Sequence, residues 1–95
     1  MMNMKKTWTV SVKDVSAEDN AAAIFAALRA TAWGTYSAMR FAFKASSESD
    51  LDEGQRTAWI KMAYTQVIDA LPPDSPYKTA LQKFIDDNID EMAKS

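Results

Sequence analysis

Residues 21–45 read AAAIFAALRATAWGTYSAMRFAFKA, and the fold turns on whether this stretch is one helix or a helix followed by a strand. Ala21, Ile24, Phe25, Leu28, Ala32, Tyr36, Met39 and Phe43 recur at steps of three or four, except one step of a single residue. That is the stripe a helix of 3.6 residues per turn presents to a core. Its phase does not slip at Gly34. The competing reading ends a helix at Gly34 and places a strand over 35–45, where Met39, Phe41 and Phe43 alternate with polar or small residues. Ala38, Ala42 and Ala45 favour the helix by propensity, so one helix over residues 16–46 is expected.

Working outward, Ser16 supplies an N-cap hydroxyl, and Glu18 and Asp19 suit the positive end of that helix. Upstream, Thr7-Trp8-Thr9-Val10-Ser11-Val12 alternates polar and apolar residues and reads as one short strand within an N-terminal extended segment, residues 1–15. A single strand needs a partner, and a copy of itself across a two-fold axis would supply one. Downstream, Ser46-Ser47-Glu48-Ser49-Asp50 is a polar linker from which Ser49 or Asp50 can cap a second helix, expected over 49–71. This helix buries Ile60, Ala63, Tyr64, Val67 and Leu71. Leu71-Pro72-Pro73-Asp74 stops it, and Ser75-Pro76 opens a third helix over 75–94 that buries Tyr77, Leu81, Phe84, Ile85, Asn88 or Ile89, and Met92.

The expected fold is therefore all-α, a three-helix antiparallel bundle in a single domain, 1–95, with one short N-terminal strand. The alternative is an α+β fold with a second strand at 35–45. With 95 residues, 47% hydrophobic and 25% charged, the chain has the balance of a globular domain with one modest core.

Composition also removes chemistry. There is no Cys and no His, which excludes disulfides, thiolate nucleophiles, imidazole bases and nearly every zinc, copper or haem site. Ser and Lys are scattered, and no Gly-rich cradle for phosphate is present. The expectation is a protein that binds and does not catalyse, with no catalytic residue, no metal and no cofactor. The longest apolar run, Ala21 to Leu28, is far short of the ~20 residues a membrane span needs, and residues 1–12 lack a signal-peptide apolar region. A cytoplasmic protein with no membrane and no duplex DNA partner is the simplest expectation.

The net charge of −2 hides an asymmetry. Residues 1–46 hold six Lys/Arg against three acids, and residues 47–95 hold five against ten. On the first helix Arg29, Trp33, Arg40 and Lys44 fall within about 60° of one another, on a face read as opposite the core stripe. Guanidinium groups fork onto phosphate oxygens and an indole stacks on a base, so these four are the candidate ligand-binding residues for an anionic nucleotide. The plain alternative is a solvated face with Trp33 covered by the N-terminal strand. Trp59 and Met62 lie off the second helix's core stripe. With Trp8 and Val10 they are the candidate contacts of a homo-oligomer; a third packing layer inside the protomer is the alternative. Asp86, Asp87, Asp90 and Glu91 form an acidic face near a helix C-terminus, which solvent accommodates at little cost.

Three segments carry a resemblance: Leu51-Asp52-Glu53-Gly54-Gln55, then Val67-Ile68-Asp69-Ala70-Leu71-Pro72-Pro73-Asp74-Ser75, then Ala80-Leu81. In these the chain from Leu51 onward resembles the phage-encoded helical sponges (anti-CBASS proteins) that sequester cyclic oligonucleotide signals of bacterial immunity. The likeness covers under half the protein. It implies a symmetric oligomer enclosing nucleotides at its interfaces, with an aromatic and a basic residue at each pocket, and it assigns no site residue by motif. The functional expectation is a small phage or mobile-element inhibitor of host defence that sequesters a nucleotide signal or occupies a host protein. A structural or adaptor oligomerisation module without a small ligand is the alternative.

Overall fold

A computed structural model describes residues 16–95, and these form three helices: α1 (Ala17–Ser47), α2 (Glu53–Ala70) and α3 (Pro76–Ala93). The strand expected over Thr7–Val12, with Trp8 and Val10 as candidate contacts, falls outside the described residues. α1 runs unbroken through Gly34, which has an ordinary negative φ, so residues 35–45 are helix and the described residues contain no strand. Short connections at 48–52 and 71–75 make the succession antiparallel. α2 lies between its neighbours and packs on both, while α1 and α3 meet over a narrow contact that includes Phe25 against Phe84.

Each helix end is satisfied locally. Ser16 accepts from the Asp19 N–H at 3.1 Å, and Ser75 accepts from Tyr77 ahead of Pro76 in the first turn. The second helix starts at Glu53, two to three residues later than Ser49 or Asp50 as cap would require. Its cap is Asp52, which accepts from Gln55 N–H at 2.8 Å while the Gln55 side chain accepts from Asp52 N–H at 3.0 Å. This reciprocal box satisfies two orphan groups at once, and Asp50 is committed elsewhere. At the other end of α2, Lys78 Nζ donates to the Ile68 carbonyl at 2.8 Å, a cation placed where the helix dipole is negative.

Tyr36, Leu51, Ile60, Tyr64 and Leu81 are the largest fully buried side chains. Ala32, Ala63, Ile68, Ile85 and Ala93 complete the core, and Phe25, Leu28, Phe43, Val67, Leu71, Phe84, Ile89 and Met92 pack half-buried around it. Leu51 stands in the linker and plugs one end of the bundle. Arg56 secures the same end by donating to the carbonyls of Leu51 and Ala93, so it ties the start of α2 to the close of α3. Two members of the expected stripe, Ala21 and Ile24, are exposed. The reason is length: α1 has 31 residues and spans about 46 Å, while 18 residues give α2 and α3 about 27 Å each. The first two turns of α1 extend past the ends of the helices that would cover them.

Candidate functional site

The four residues singled out on α1 flank the core instead of standing opposite it. Counting 100° per residue, their centre lies roughly a quarter turn from the line through Phe25, Ala32, Tyr36 and Phe43. A quarter turn is close enough for a neighbouring helix to reach them, and α3 does so. The Arg29 guanidinium carbon sits 4.8 Å from the Phe84 ring centroid and 5.5 Å from that of Phe25. Phe84 in turn meets Phe25 edge-on at 6.0 Å and stacks on Tyr64 at 6.1 Å. Arg29 therefore lies half-buried on an aromatic cluster, attracted by the negative ring faces.

No acid accompanies it. The Arg29 Nε is buried and has no hydrogen-bond partner, and no described carboxylate forms an ion pair with this guanidinium. The residue borders an open cleft of about 430 Å³ whose lining includes Trp33, Tyr64, Phe84 and Met92. Burial raises the Tyr64 hydroxyl above its ordinary pKa, and the Arg29 charge opposes that shift. A cation facing aromatic walls, with donor capacity unspent, is suited chemically to an anion that carries a flat apolar group.

Arg40 and Lys44 belong to a second, smaller cleft of about 200 Å³, together with Trp33, Tyr36, Ser37 and Phe41. Trp33 forms a wall of both clefts and packs on Tyr36 at 5.0 Å between centroids. Arg29 and Arg40 are eleven residues apart, about 16 Å along the helix, so only Trp33 is common to their surroundings. The cations that border this cleft are already engaged by an anion of the chain's own. Arg40 donates to both Asp50 oxygens, Nε to Oδ1 at 3.0 Å and Nη2 to Oδ2 at 2.7 Å, and Lys44 Nζ stands 4.0 Å from Oδ2. Asp50 is held well below the usual carboxylate range, first by the Arg40 hydrogen bonds and further by the Leu51 N–H, and Arg40 is pushed above its ordinary value by the same partner. The structure thus divides the stripe into an unpaired cation at Arg29 and a neutralised pair at Arg40.

Tyr64, Phe84 and Met92 read as core from the sequence, and they are also cleft walls. Periodicity assigns them to a buried stripe, and only the arrival of α1 beside α3 turns part of that stripe toward Arg29. Trp59 is half-buried and meets Phe43 edge-on at 5.7 Å within the chain; Met62 is exposed. The acidic face of α3 is also exposed, with Lys83 paired to Asp87 at 2.7 Å and Lys94 to Glu91 at 3.6 Å. Among the described residues no three acids converge as metal ligands, and no helix is long and apolar enough to cross a membrane. In comparisons with known proteins, no family model, no curated protein and no solved structure matches this chain.

Proposed function

We propose that this chain is a non-enzymatic binding protein for a small anionic ligand of the nucleotide class, a phage or mobile-element inhibitor that sequesters a signal of bacterial defence. The observation that carries the reading is Arg29, a half-buried cation with an orphan Nε in an aromatic cleft. An unmade hydrogen bond at a buried charged group costs about 1–3 kcal/mol, and a phosphate oxygen placed there would recover it. The cleft volume falls within the ~300–1,000 Å³ of small-molecule sites, and its apolar walls offer a surface to a base. The resemblance in the Leu51 to Leu81 region supports the same class of ligand.

Thermal denaturation with a panel of linear and cyclic oligonucleotides tests it. A ligand at a hundred times its dissociation constant stabilises the native state by about 2.7 kcal/mol. In a domain of this size that raises the melting temperature by about 10 °C or more. No shift with any member of the panel would remove the nucleotide reading.

A further inference from the structure

The face of α1 turned away from α2 and α3 is uncharged from Ala23 to Phe41. Stepping alternately by four and three residues, Ala23, Ala27, Ala30, Gly34, Ser37 and Phe41 fall on one line, and all six are exposed. Phe41 is 75% exposed, more than any other large apolar side chain among the described residues. An average step of 3.5 keeps a seam aligned with a second helix along its length. At Gly34 an added Cβ would meet nothing within 4 Å, and φ is not positive. Neither packing within the protomer nor backbone conformation calls for glycine there, and its missing side chain would let a helix packed from outside come close.

We propose that this face pairs antiparallel with α1 of a second copy, about a two-fold axis level with Ala32. Register and charge select that partner and that direction. Such an axis pairs Phe41 with Ala23, Ser37 with Ala27 and Gly34 with Ala30. The one large side chain of the seam meets one of the smallest, and the helices come closest where glycine sits. A parallel pair would set Phe41 against Phe41. The flanks agree, because Glu18 and Asp19 open α1 and Lys44 stands near its end. The antiparallel pair brings Asp19 within one residue step of Lys44, while a parallel pair sets Asp19 beside Asp19. The seam also borders both clefts, since Ala30 lines the Arg29 cleft, and Ser37 and Phe41 line that of Arg40. The second copy accordingly forms part of their outer walls, and the pairing itself stands without any ligand.

Sedimentation of the full chain over a concentration series, native and as Gly34→Leu, reads the association directly. Leucine is the better helix former, so the protomer keeps its fold while the wedge forces the seam apart. The dissociation constant is expected to rise at least ~10-fold, with the melting of dilute protein unchanged or higher. Because the chain has no cysteine, the single variants Ala27→Cys and Ser37→Cys carry unique thiols. Oxidised together they are expected to give a cross-linked dimer that neither gives alone. A monomer at every concentration, a Gly34→Leu chain that associates as tightly as the native one, or Ala27→Cys cross-linking to itself in preference to the mixture overturns the proposal.

Discussion

Replacing Arg29 with Met separates its two roles, because methionine keeps an unbranched apolar stem over the Phe25 and Phe84 rings and removes the charge. On the stability side the variant loses cation–π attraction worth about 0.5–2 kcal/mol at the 4.8 and 5.5 Å separations. It also removes the buried Nε that has no partner, a burden of about 1–3 kcal/mol, and gains sulfur contacts with the rings of about 0.3–1.5 kcal/mol. These terms leave a net change centred on about 1.5 kcal/mol of stabilisation, with a net loss of no more than ~1 kcal/mol. On the binding side a charge-assisted hydrogen bond worth about 1.5–3 kcal/mol disappears, so affinity for a nucleotide ligand falls roughly 10- to 150-fold. Urea unfolding of the free protein gives the first quantity, and titration calorimetry with the oligonucleotide that raises the melting temperature gives the second. Destabilisation beyond ~2 kcal/mol with unchanged affinity would make Arg29 a strut between α1 and α3, and the anion-site reasoning would fail.

Periodicity reaches the elements and most of the core, and it stops where tertiary partners decide. The stripe through Phe25, Ala32, Tyr36 and Phe43 carries its phase across Gly34, and α1 is continuous there because a glycine with helical φ costs a helix too little to break it. Ile60, Ala63, Tyr64, Leu81 and Ile85 are buried as their spacing requires. The start of α2 is misplaced by sequence because Ser49 and Asp50, the expected caps, are no better by residue type than Asp52, the cap observed. Tertiary structure resolves it: Arg40, ten residues back, claims Asp50, and Gln55 completes the box with Asp52. The same limit applies to the site. A helical wheel places Arg29 and Arg40 on one stripe, but whether a flanking residue meets solvent, an aromatic ring or an acid depends on what the next helix brings. For Arg29 that is Phe84, and for Arg40 it is a linker carboxylate. Burial of Leu51 and the reach of Arg56 to Ala93 leave no periodic trace, since one residue lies in a linker and the other bridges two helix ends.

Further outcomes follow from the same contacts. Arg56→Met should destabilise the protein by about 2–3 kcal/mol, because two carbonyls lose a charged donor; a loss under ~0.5 kcal/mol in urea unfolding would show that the closed end does not need it. Leu51→Ala should cost about 2–5 kcal/mol despite its place in a linker, and an unchanged melting temperature would mean that the plug is dispensable. Asp50→Asn should change the response to acid. Asp50 is held below its usual range by Arg40, so its folded pKa lies under the unfolded value of about 3.9. A carboxylate shifted in that direction contributes stability that is complete above the unfolded value and is lost as pH falls toward the folded one. Native protein should therefore lose stability below about pH 4 more steeply than Asp50→Asn, whose other carboxylates titrate identically. At neutral pH the variant should be the less stable of the two, and the curves should converge in acid. Melting temperatures of both chains from neutral pH down to about pH 2 measure the difference, and parallel curves would show that the Arg40 pair adds nothing to the fold.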